Sequence, residues 1–238
     1  MYPPLHAPRL VEALVEQGPY AKITVVDQAG STNTELLKAA GQQPHLTALL
    51  AEYQTGGRGR FHAGEATPRS WQAPPRSSLL VSVLLRLEAS HNYSGTTALP
   101  RTLLPLVFGL AAVQAVELVL PAPVALKWPN DVMVQGNKLG GLLAQATSDG
   151  ETLVVGLGLN VHQRQQQLPT AQATSLALLG APGVDRTWLA LAYLAAAANL
   201  FQRWARGDQN LLPGIGRRME TLGKPVTVSL PARQTLAG

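Results

Sequence analysis

The first half of the chain carries its hydrophobic residues in short runs bounded by glycine, proline and polar residues. Runs of this length that are rich in Val, Ile and Leu are typical of buried β-strands. A Gln-Gly-Asn sequence at 135–137, between two such runs, predicts a β-hairpin. The predicted strands are Ile23–Val26, Leu46–Tyr53, Ser78–Leu85, Ala122–Lys127, Val132–Val134, Lys138–Thr147, Thr152–Gly158 and, closing the chain as a single strand, Pro225–Leu230.

Longer segments space their apolar residues three and four apart, which predicts helices. Thr32-Asn33-Thr34-Glu35 has the spacing of a capping box and opens a helix that continues to Ala40. The other predicted helices cover residues 8–17, 102–120, 172–179, 186–206 and 209–222. Runs of strands followed by runs of helices, with hairpins, predict an α+β fold in which a mixed or antiparallel sheet packs against helices.

Two apolar segments raise the question of a membrane partner. Leu103–Leu120 is interrupted by Pro105, Gln114 and Glu117, and the last two share one helix face. Trp188–Ala198 is far shorter than the ~20 residues that a spanning helix needs. We therefore expect both to be core helices of a soluble protein, with no membrane partner.

Composition narrows the chemistry. The chain has 238 residues, 19 Lys+Arg, 14 Asp+Glu and no cysteine. The net charge of +5 comes without a long basic run, so nucleic acid is not favoured as the main partner. The absence of cysteine excludes disulfides, thiolate zinc sites and a cysteine nucleophile, and is typical of a reducing compartment. The histidines (His6, His45, His62, His91 and His162) form no metal-binding pair. We expect a cytoplasmic protein without a zinc centre.

Residues 54–77 form a predicted loop of 24 residues rich in Gly, Pro, Arg and Ser. Structureless loops of this length are usually functional, so this segment is a candidate binding loop. Its first part, residues 54–60, reads Gln-Thr-Gly-Gly-Arg-Gly-Arg. Glycines let the backbone approach a phosphate, and Arg58 and Arg60 supply bidentate donors. The alternatives are a flexible basic turn or a segment that touches RNA.

The sequence Lys-Trp-Pro-Asn-Asp at 127–131 is a second candidate. Lys127 offers a positive charge to a phosphate, and Asn130 and Asp131 offer oxygens suited to Mg²⁺ or a ribose. Pro129 restricts the turn between two predicted strands. The alternative is an ordinary strand–turn–strand with a surface Asn-Asp.

Three weaker signals each have an ordinary structural explanation. Lys138 opens an apolar strand, where it could stabilise developing negative charge or simply lie at the sheet edge with its charge in water. Ser31-Thr32-Asn33 could contact a small polar ligand or only cap a helix. The glycines and Asn160 of Gly156–Val161 could approach a ligand or only pack closely against another strand.

The order of these segments resembles biotin protein ligase, the biotin–carboxyl-carrier ligase family, from about Asp27 to Val161. Helical agreement continues more weakly to about residue 222. The resemblance implies two steps. Biotin carboxylate attacks the α-phosphate of ATP, giving biotinyl-adenylate and pyrophosphate, and a lysine of a biotin carboxyl carrier protein then attacks the mixed anhydride. No acid–base histidine is required.

The resemblance also implies roles for individual residues. The candidate catalytic residues are Lys138, Arg58 and Arg60, and the tentative Mg²⁺ ligand is Asp131. The candidate biotin contacts are Ser31, Thr32, Asn33, Gln54, Gly57, Arg58, Lys138 and Gly141. The candidate ATP contacts are Arg58, Gly59, Arg60, Trp71, Lys127, Asn130, Asp131, Lys138 and Asn160, with Trp71 stacking on adenine.

Some features depart from the family pattern. Residues 61–70 are an insertion before Trp71. About twenty residues precede the catalytic pattern, so we expect the non-regulatory type without a DNA-binding domain or a DNA partner. We expect residues 1–222 to form the catalytic domain and residues 223–238 the start of a small C-terminal SH3-like barrel, most of which is missing. Family members often dimerise, so a homodimer is one expectation.

Other functions stay open at this point. A lipoate or octanoate ligase shares the fold and also acylates a carrier lysine, although the absence of cysteine disfavours thiol-based octanoyl transferases. A non-catalytic biotin-binding or RNA-binding module is a different class, consistent with the +5 charge and the missing barrel.

Overall fold

A computed structural model describes residues 2–60, 70–87, 99–229 and 235–237. In these ranges the helices are α1 (Ala7–Val11, continued by a π-helical turn at Glu12–Glu16), α2 (Thr32–Lys38), α3 (Leu104–Glu117), α4 (Arg186–Ala205) and α5 (Leu211–Gly216). The strands are β1 (Lys22–Val26), β2 (Thr47–Ala51), β3 (Gly57–Arg58), β4 (Ser70–Trp71), β5 (Ser78–Arg86), β6 (Val124–Lys127), β7 (Asp131–Val134), β8 (Asn137–Ala146), β9 (Thr152–Asn160), β10 (Thr227–Ser229) and β11 (Thr235–Ala237).

Seven strands form one mixed sheet in the order β1-β2-β5-β9-β8-β7-β6. Only β1 and β2 are parallel, and every other neighbouring pair is antiparallel. The prediction of an α+β fold with a mixed sheet is confirmed. The predicted hairpin is confirmed as well, because β7 and β8 pair across a turn in which Gln135 and Gly136 both have positive φ, 51° and 76°.

The two faces of the sheet have different neighbours. One face packs with α3 and α4 in the main hydrophobic core, to which β9 contributes Leu157 and Leu159. The opposite face carries a small cluster under α2, which includes Leu36 and Leu84. The rest of that second face is therefore available for a site. Among the described residues, no helix combines the length and apolarity needed to cross a membrane.

Several local predictions were wrong. Residues 172–179 form turns, because the backbone there bonds to the start of β8: Lys138 N–H donates to Gln172 O at 2.7 Å, and Thr174 N–H donates to Lys138 O at 2.8 Å. The helix predicted at 209–222 is limited to α5. The segment 54–77 is not structureless, since β3 pairs with β4, while residues 61–69 of the predicted insertion lie outside the described residues.

Two further predictions, the single C-terminal strand and the N-cap of α2, also need correction. The chain closes with a hairpin of β10 and β11 rather than with a single strand. The cap of α2 is Ser31, whose Oγ accepts from Thr34 N–H at 3.5 Å, and Glu35 accepts instead from Gly30 N–H at 2.7 Å. The predicted N-cap, Thr32, was therefore one residue too late in the sequence. Because Thr32 does not cap the helix, its side chain can make other contacts.

Two histidines have environments that disfavour their charged form. Burial lowers the pKa of His162 below its ordinary value of 6.5, and the nearby Arg186 lowers it further. Burial also lowers the pKa of His45, again with a nearby arginine, Arg86, as the second cause. The Nδ1 atom of His45 accepts from Arg86 N–H at 3.0 Å, which requires that nitrogen to be unprotonated.

We predict an acid-dependent loss of stability from these two residues. The pKa values of both histidines are lower in the folded protein than in the unfolded chain, so the unfolded chain binds more protons below about pH 6.5. The free energy of unfolding is therefore unaffected by these groups above about pH 6.5. It decreases as the pH falls from there toward the folded-state pKa values. Thermal unfolding between pH 7.5 and 5 should show this fall, and the double variant His45→Gln, His162→Gln should flatten it. An equally steep fall in the double variant would contradict the prediction.

Candidate active site

A cleft of about 1310 Å³ lies over the sheet face that carries Ser82, Gly156 and Gly158. It brings together all but one of the site residues that the sequence predicts. Those that line it are Ser31, Thr32, Asn33, Gln54, Arg58, Gly59, Arg60, Trp71, Lys127, Asn130, Asp131, Lys138, Gly141 and Asn160. The exception is Gly57, which is buried beside the cleft, where a Cβ would overlap the Trp71 carbonyl oxygen.

A polar network forms one wall of the cleft, at the N-terminus of α2. The Oε1 atom of Gln54 accepts from Thr32 N–H at 2.8 Å and from Thr32 Oγ1 at 3.0 Å. The Oγ atom of Ser82 lies 2.7 Å from Thr32 Oγ1 and 2.6 Å from Asn33 Oδ1. Asn33 Nδ2 donates to the carbonyl oxygen of Leu143 at 3.0 Å. These contacts fix the side-chain orientations in advance of any ligand.

Ser82 was not predicted as a site residue. It is fully buried in the middle of β5, at 0% exposure. Its signal in the sequence was a single hydroxyl inside an otherwise apolar strand, which has an energetic cost unless it is hydrogen-bonded. Strand alternation places it on the same face as Leu84, toward α2, so it can reach the first turn of that helix.

Glycines in β9 make room for two large groups. A Cβ at Gly158 would lie 2.5–2.9 Å from atoms of the Trp71 indole, so that ring lies directly against the strand. A Cβ at Gly156 would overlap Asn33 Oδ1. The sequence left a ligand or another strand as the close neighbour of these glycines, and in the structure side chains of the cleft itself lie against them.

A β-bulge places Lys138 in the cleft. Asp131 pairs with Gly141, but the register then shifts so that Met133 pairs with Lys138. The extra residue in β8 puts Lys138 on the same face as Gly141 and Asp131, where a regular strand would have put it on the other face. Its Nζ lies 2.6 Å from Asp131 Oδ1.

The two asparagines of the candidate ATP contacts already have protein partners. Asn130 Nδ2 donates to Leu142 O at 2.6 Å. Asn160 is buried, its Nδ2 donates to Thr174 O at 2.9 Å, and its Oδ1 accepts from Gln163 at 2.9 Å. Among the described residues, these bonds use one of the two amide N–H groups of each asparagine and leave acceptor capacity on each Oδ1, so both atoms can still contact a ligand.

The charge in the cleft is mostly positive. Among its lining residues in the described part of the chain, the cations are Arg58, Arg60, Lys127 and Lys138, and the single carboxylate is Asp131. The described residues contain no cluster of three or more His, Cys, Asp or Glu suited to a metal ion. Such a site attracts an anion with several charges rather than a tightly held structural metal.

An apolar surface completes the cleft, and most of it lies outside the sequence motifs. Trp128, at 51% exposure, contributes from the turn between β6 and β7. Further apolar lining residues come from the C-terminal region: Leu212, Ile215, Met219, Leu222 and Val226. The site therefore has a polar end, a cationic zone and an apolar surface.

Comparisons with known proteins identify the family to which the chain is similar. Residues 25–161 match the model of the biotin/lipoate A/B protein ligase family. The biotin–[acetyl-CoA-carboxylase] ligase of Mycobacterium tuberculosis is 34% identical over 243 residues, which cover 99% of this chain and 85% of that protein. The bifunctional ligase/repressor BirA of Escherichia coli is 32% identical, and the match covers 85% of this chain but only 59% of BirA.

A similar fold is found in a solved structure. The biotin protein ligase from Aquifex aeolicus in complex with biotin and ATP has a TM-score of 0.75 and 28% sequence identity. The match covers 92% of this chain and 86% of that protein.

We predict that Gly156→Ala and Gly158→Ala destabilise the protein by about 1–3 kcal/mol, because each new methyl group overlaps a side chain that has little room to move. Gly183→Ala is the matched control, since no atom lies within 4 Å of its added Cβ. Urea unfolding of the three variants tests the prediction. A Gly156→Ala variant as stable as Gly183→Ala would contradict it.

Proposed function

The chain belongs to the biotin/lipoate A/B protein ligase family, and we propose that it activates biotin with ATP and transfers it to a lysine of a biotin carboxyl carrier protein. The observation that carries the proposal is the pairing of a preorganised amide–hydroxyl wall with four cations in one cleft. That combination suits a neutral polar ring at one end and a polyphosphate at the other. The 34% identity to a biotin ligase over nearly the whole chain supports biotin as the substrate.

The polar wall would hold the biotin ring. Because Gln54 accepts both bonds from Thr32 through Oε1, its amide nitrogen can donate to a ring carbonyl. Within the described residues, that nitrogen has no protein acceptor. Ser31, Thr32 and Asn33 lie at the N-terminus of α2, where the helix dipole favours an acceptor atom.

The cations would bring two anions together in the first step. A carboxylate oxygen of biotin forms a bond to the α-phosphorus of ATP, and the bond from that phosphorus to the bridging oxygen breaks, releasing pyrophosphate. Negative charge builds up on the phosphoryl oxygens, and the cations of Lys138 and Arg60 would stabilise it. The Asp131 ion pair keeps the Lys138 side chain aimed into the cleft rather than into water.

In the second step, the cleft must mainly admit the acceptor lysine of the carrier protein. The acceptor amine attacks the carbonyl carbon of the anhydride, an amide bond forms, AMP leaves, and the amine loses a proton. Positioning and charge neutralisation supply most of the rate in chemistry of this kind. A dedicated acid–base histidine is therefore not part of the proposal.

Magnesium is part of the proposal through one residue. Asp131 is the single carboxylate among the described lining residues, and protein-bound Mg²⁺ typically uses one or two carboxylates together with substrate phosphates. The donor set therefore suits an ion that arrives with ATP. Mg²⁺ would neutralise phosphate charge, while Lys138 would keep its own contact to the substrate.

Other expectations stay predictions. They are the homodimer, the absence of a DNA partner, the cytoplasmic location, and the division into a catalytic domain at 1–222 and the start of a small barrel at 223–238. The individual roles assigned to the cleft residues are likewise part of the proposal.

We predict that Lys138→Ala and Arg60→Ala each lower biotin-dependent ATP–pyrophosphate exchange by about 10²-fold or more, the range for loss of one preorganised donor. Lys38→Ala is the matched control, because Lys38 is an exposed lysine at the end of α2 and does not line the cleft. Undiminished exchange in Lys138→Ala would overturn the assigned role of this lysine.

We predict that biotin with ATP raises the melting temperature and that lipoate with ATP does not. A ligand present at ~100 times its dissociation constant adds about 2.7 kcal/mol to stability. Exchange driven by lipoate but not by biotin would identify a lipoate ligase instead. Biotin binding without exchange would identify a non-catalytic biotin-binding protein.

A further inference from the structure

A buried ion pair lies outside the cleft, and the proposed reaction does not use it. Glu52 Oε2 and Arg186 Nη2 are 2.7 Å apart, and the two side chains are only 4% and 2% exposed. Neither residue lines the cleft. Removing two charges from water costs several kcal/mol per ion, and the attraction between them offsets that cost only with good additional hydrogen bonds.

The N-terminal segment Tyr2–His6 supplies part of those bonds. Leu5 N–H donates to Glu52 Oε1 at 2.5 Å, and Arg186 Nη2 donates to Pro3 O at 2.7 Å. Tyr2 stacks on His162 with ring centroids 4.1 Å apart, and its hydroxyl donates to the carbonyl oxygen of His162 at 3.0 Å. The segment therefore covers the ion pair.

A short backbone segment connects Glu52 of the ion pair to Gln54 in the polar wall of the cleft. Glu52 follows β2 directly and stands two residues before Gln54. Its backbone is held on both sides, since Glu52 N–H donates to Val26 O at 3.0 Å and Arg76 N–H donates to Glu52 O at 2.8 Å. Because the side chain of Glu52 is also held, by Arg186 and by Leu5 N–H, these contacts restrict the position of Gln54 two residues later.

A second set of contacts leads from the ion pair to Asn160, which also lines the cleft. Arg186 Nη1 donates to the Ser78 carbonyl oxygen at 3.2 Å. Gln163 Nε2 donates to Ser78 Oγ at 2.6 Å and to Asn160 Oδ1 at 2.9 Å. The guanidinium is therefore linked to Asn160 through Ser78, which accepts from Arg186 with its carbonyl oxygen and from Gln163 with its hydroxyl.

We propose that Glu52 and Arg186 are positioning residues that set the distance between Gln54 and Asn160 in the cleft. The inference rests on the proposed function, since biotin is the ligand with which it is tested. Neither side chain touches the reacting groups. Their effect is on the geometry of residues that do, and about 1 Å of misplacement can cost ~10²-fold in rate.

The test separates positioning from stability with a double variant. Glu52→Gln and Arg186→Met each leave one buried charge without its partner, so both should lower the melting temperature. The double variant Glu52→Gln, Arg186→Met has no uncompensated charge, so its melting temperature should return toward that of the unmodified chain. Its KM for biotin in ATP–pyrophosphate exchange should stay at least ~10-fold raised, because the contact to Ser78 is still lost.

Tyr20→Phe is the control for a loss of stability elsewhere. Tyr20 is buried, and its hydroxyl donates to Leu194 O at 2.9 Å, a bond that involves neither Gln54 nor Asn160. This variant should lower the melting temperature and leave the KM for biotin unchanged.

Three outcomes would overturn the inference. An unchanged biotin KM in the double variant would make the ion pair purely structural. A raised KM in Tyr20→Phe of the same size would attribute the effect to general destabilisation. If the unmodified chain shows no biotin-dependent exchange, the proposed function fails first, and the inference that rests on it fails with it.

Discussion

The alternation of side chains along β9 is the constraint on which the rest of the structure depends. Leu157 and Leu159 point into the core under α3 and α4, while Gly156, Gly158 and Asn160 face the cleft. A strand in the middle of a seven-stranded sheet cannot slip by one residue without exchanging these two sets. Because the leucines are buried in the core, Gly156 and Gly158 must lie on the opposite face of the strand, which is the face that forms the floor of the cleft.

The glycines of β9 let the side chains of Trp71 and Asn33 lie directly against the sheet, and the neighbouring elements give the cleft its chemistry. Helix α2 supplies Thr32 and Asn33, and β5 supplies Ser82, so amide and hydroxyl groups from distant parts of the chain meet in one network. The bulge in β8 adds Lys138 to the same face. Each of these groups is held by a protein partner, which reduces the reorganisation needed when a ligand binds.

Buried polar groups hold this arrangement in place. The Glu52–Arg186 ion pair and the Ser78–Gln163–Asn160 hydrogen bonds lie behind the cleft, where an unpaired group would be costly. Such a network favours one geometry because a shift of one member breaks several of these bonds at once. The stability of the fold and the shape of the site thus depend on the same contacts.

The sequence by itself determined most of the elements that are local: strand and helix types, the hairpin at Gln135-Gly136, and the five polar segments, whose predicted site residues all line the cleft except Gly57. The tertiary structure decided everything that depends on a distant partner. It placed residues 172–179 as turns alongside β8, and it moved Lys138 to the cleft face through a bulge. Periodicity records which residues are buried, but register and side-chain partners arise only when strands from different parts of the chain pair.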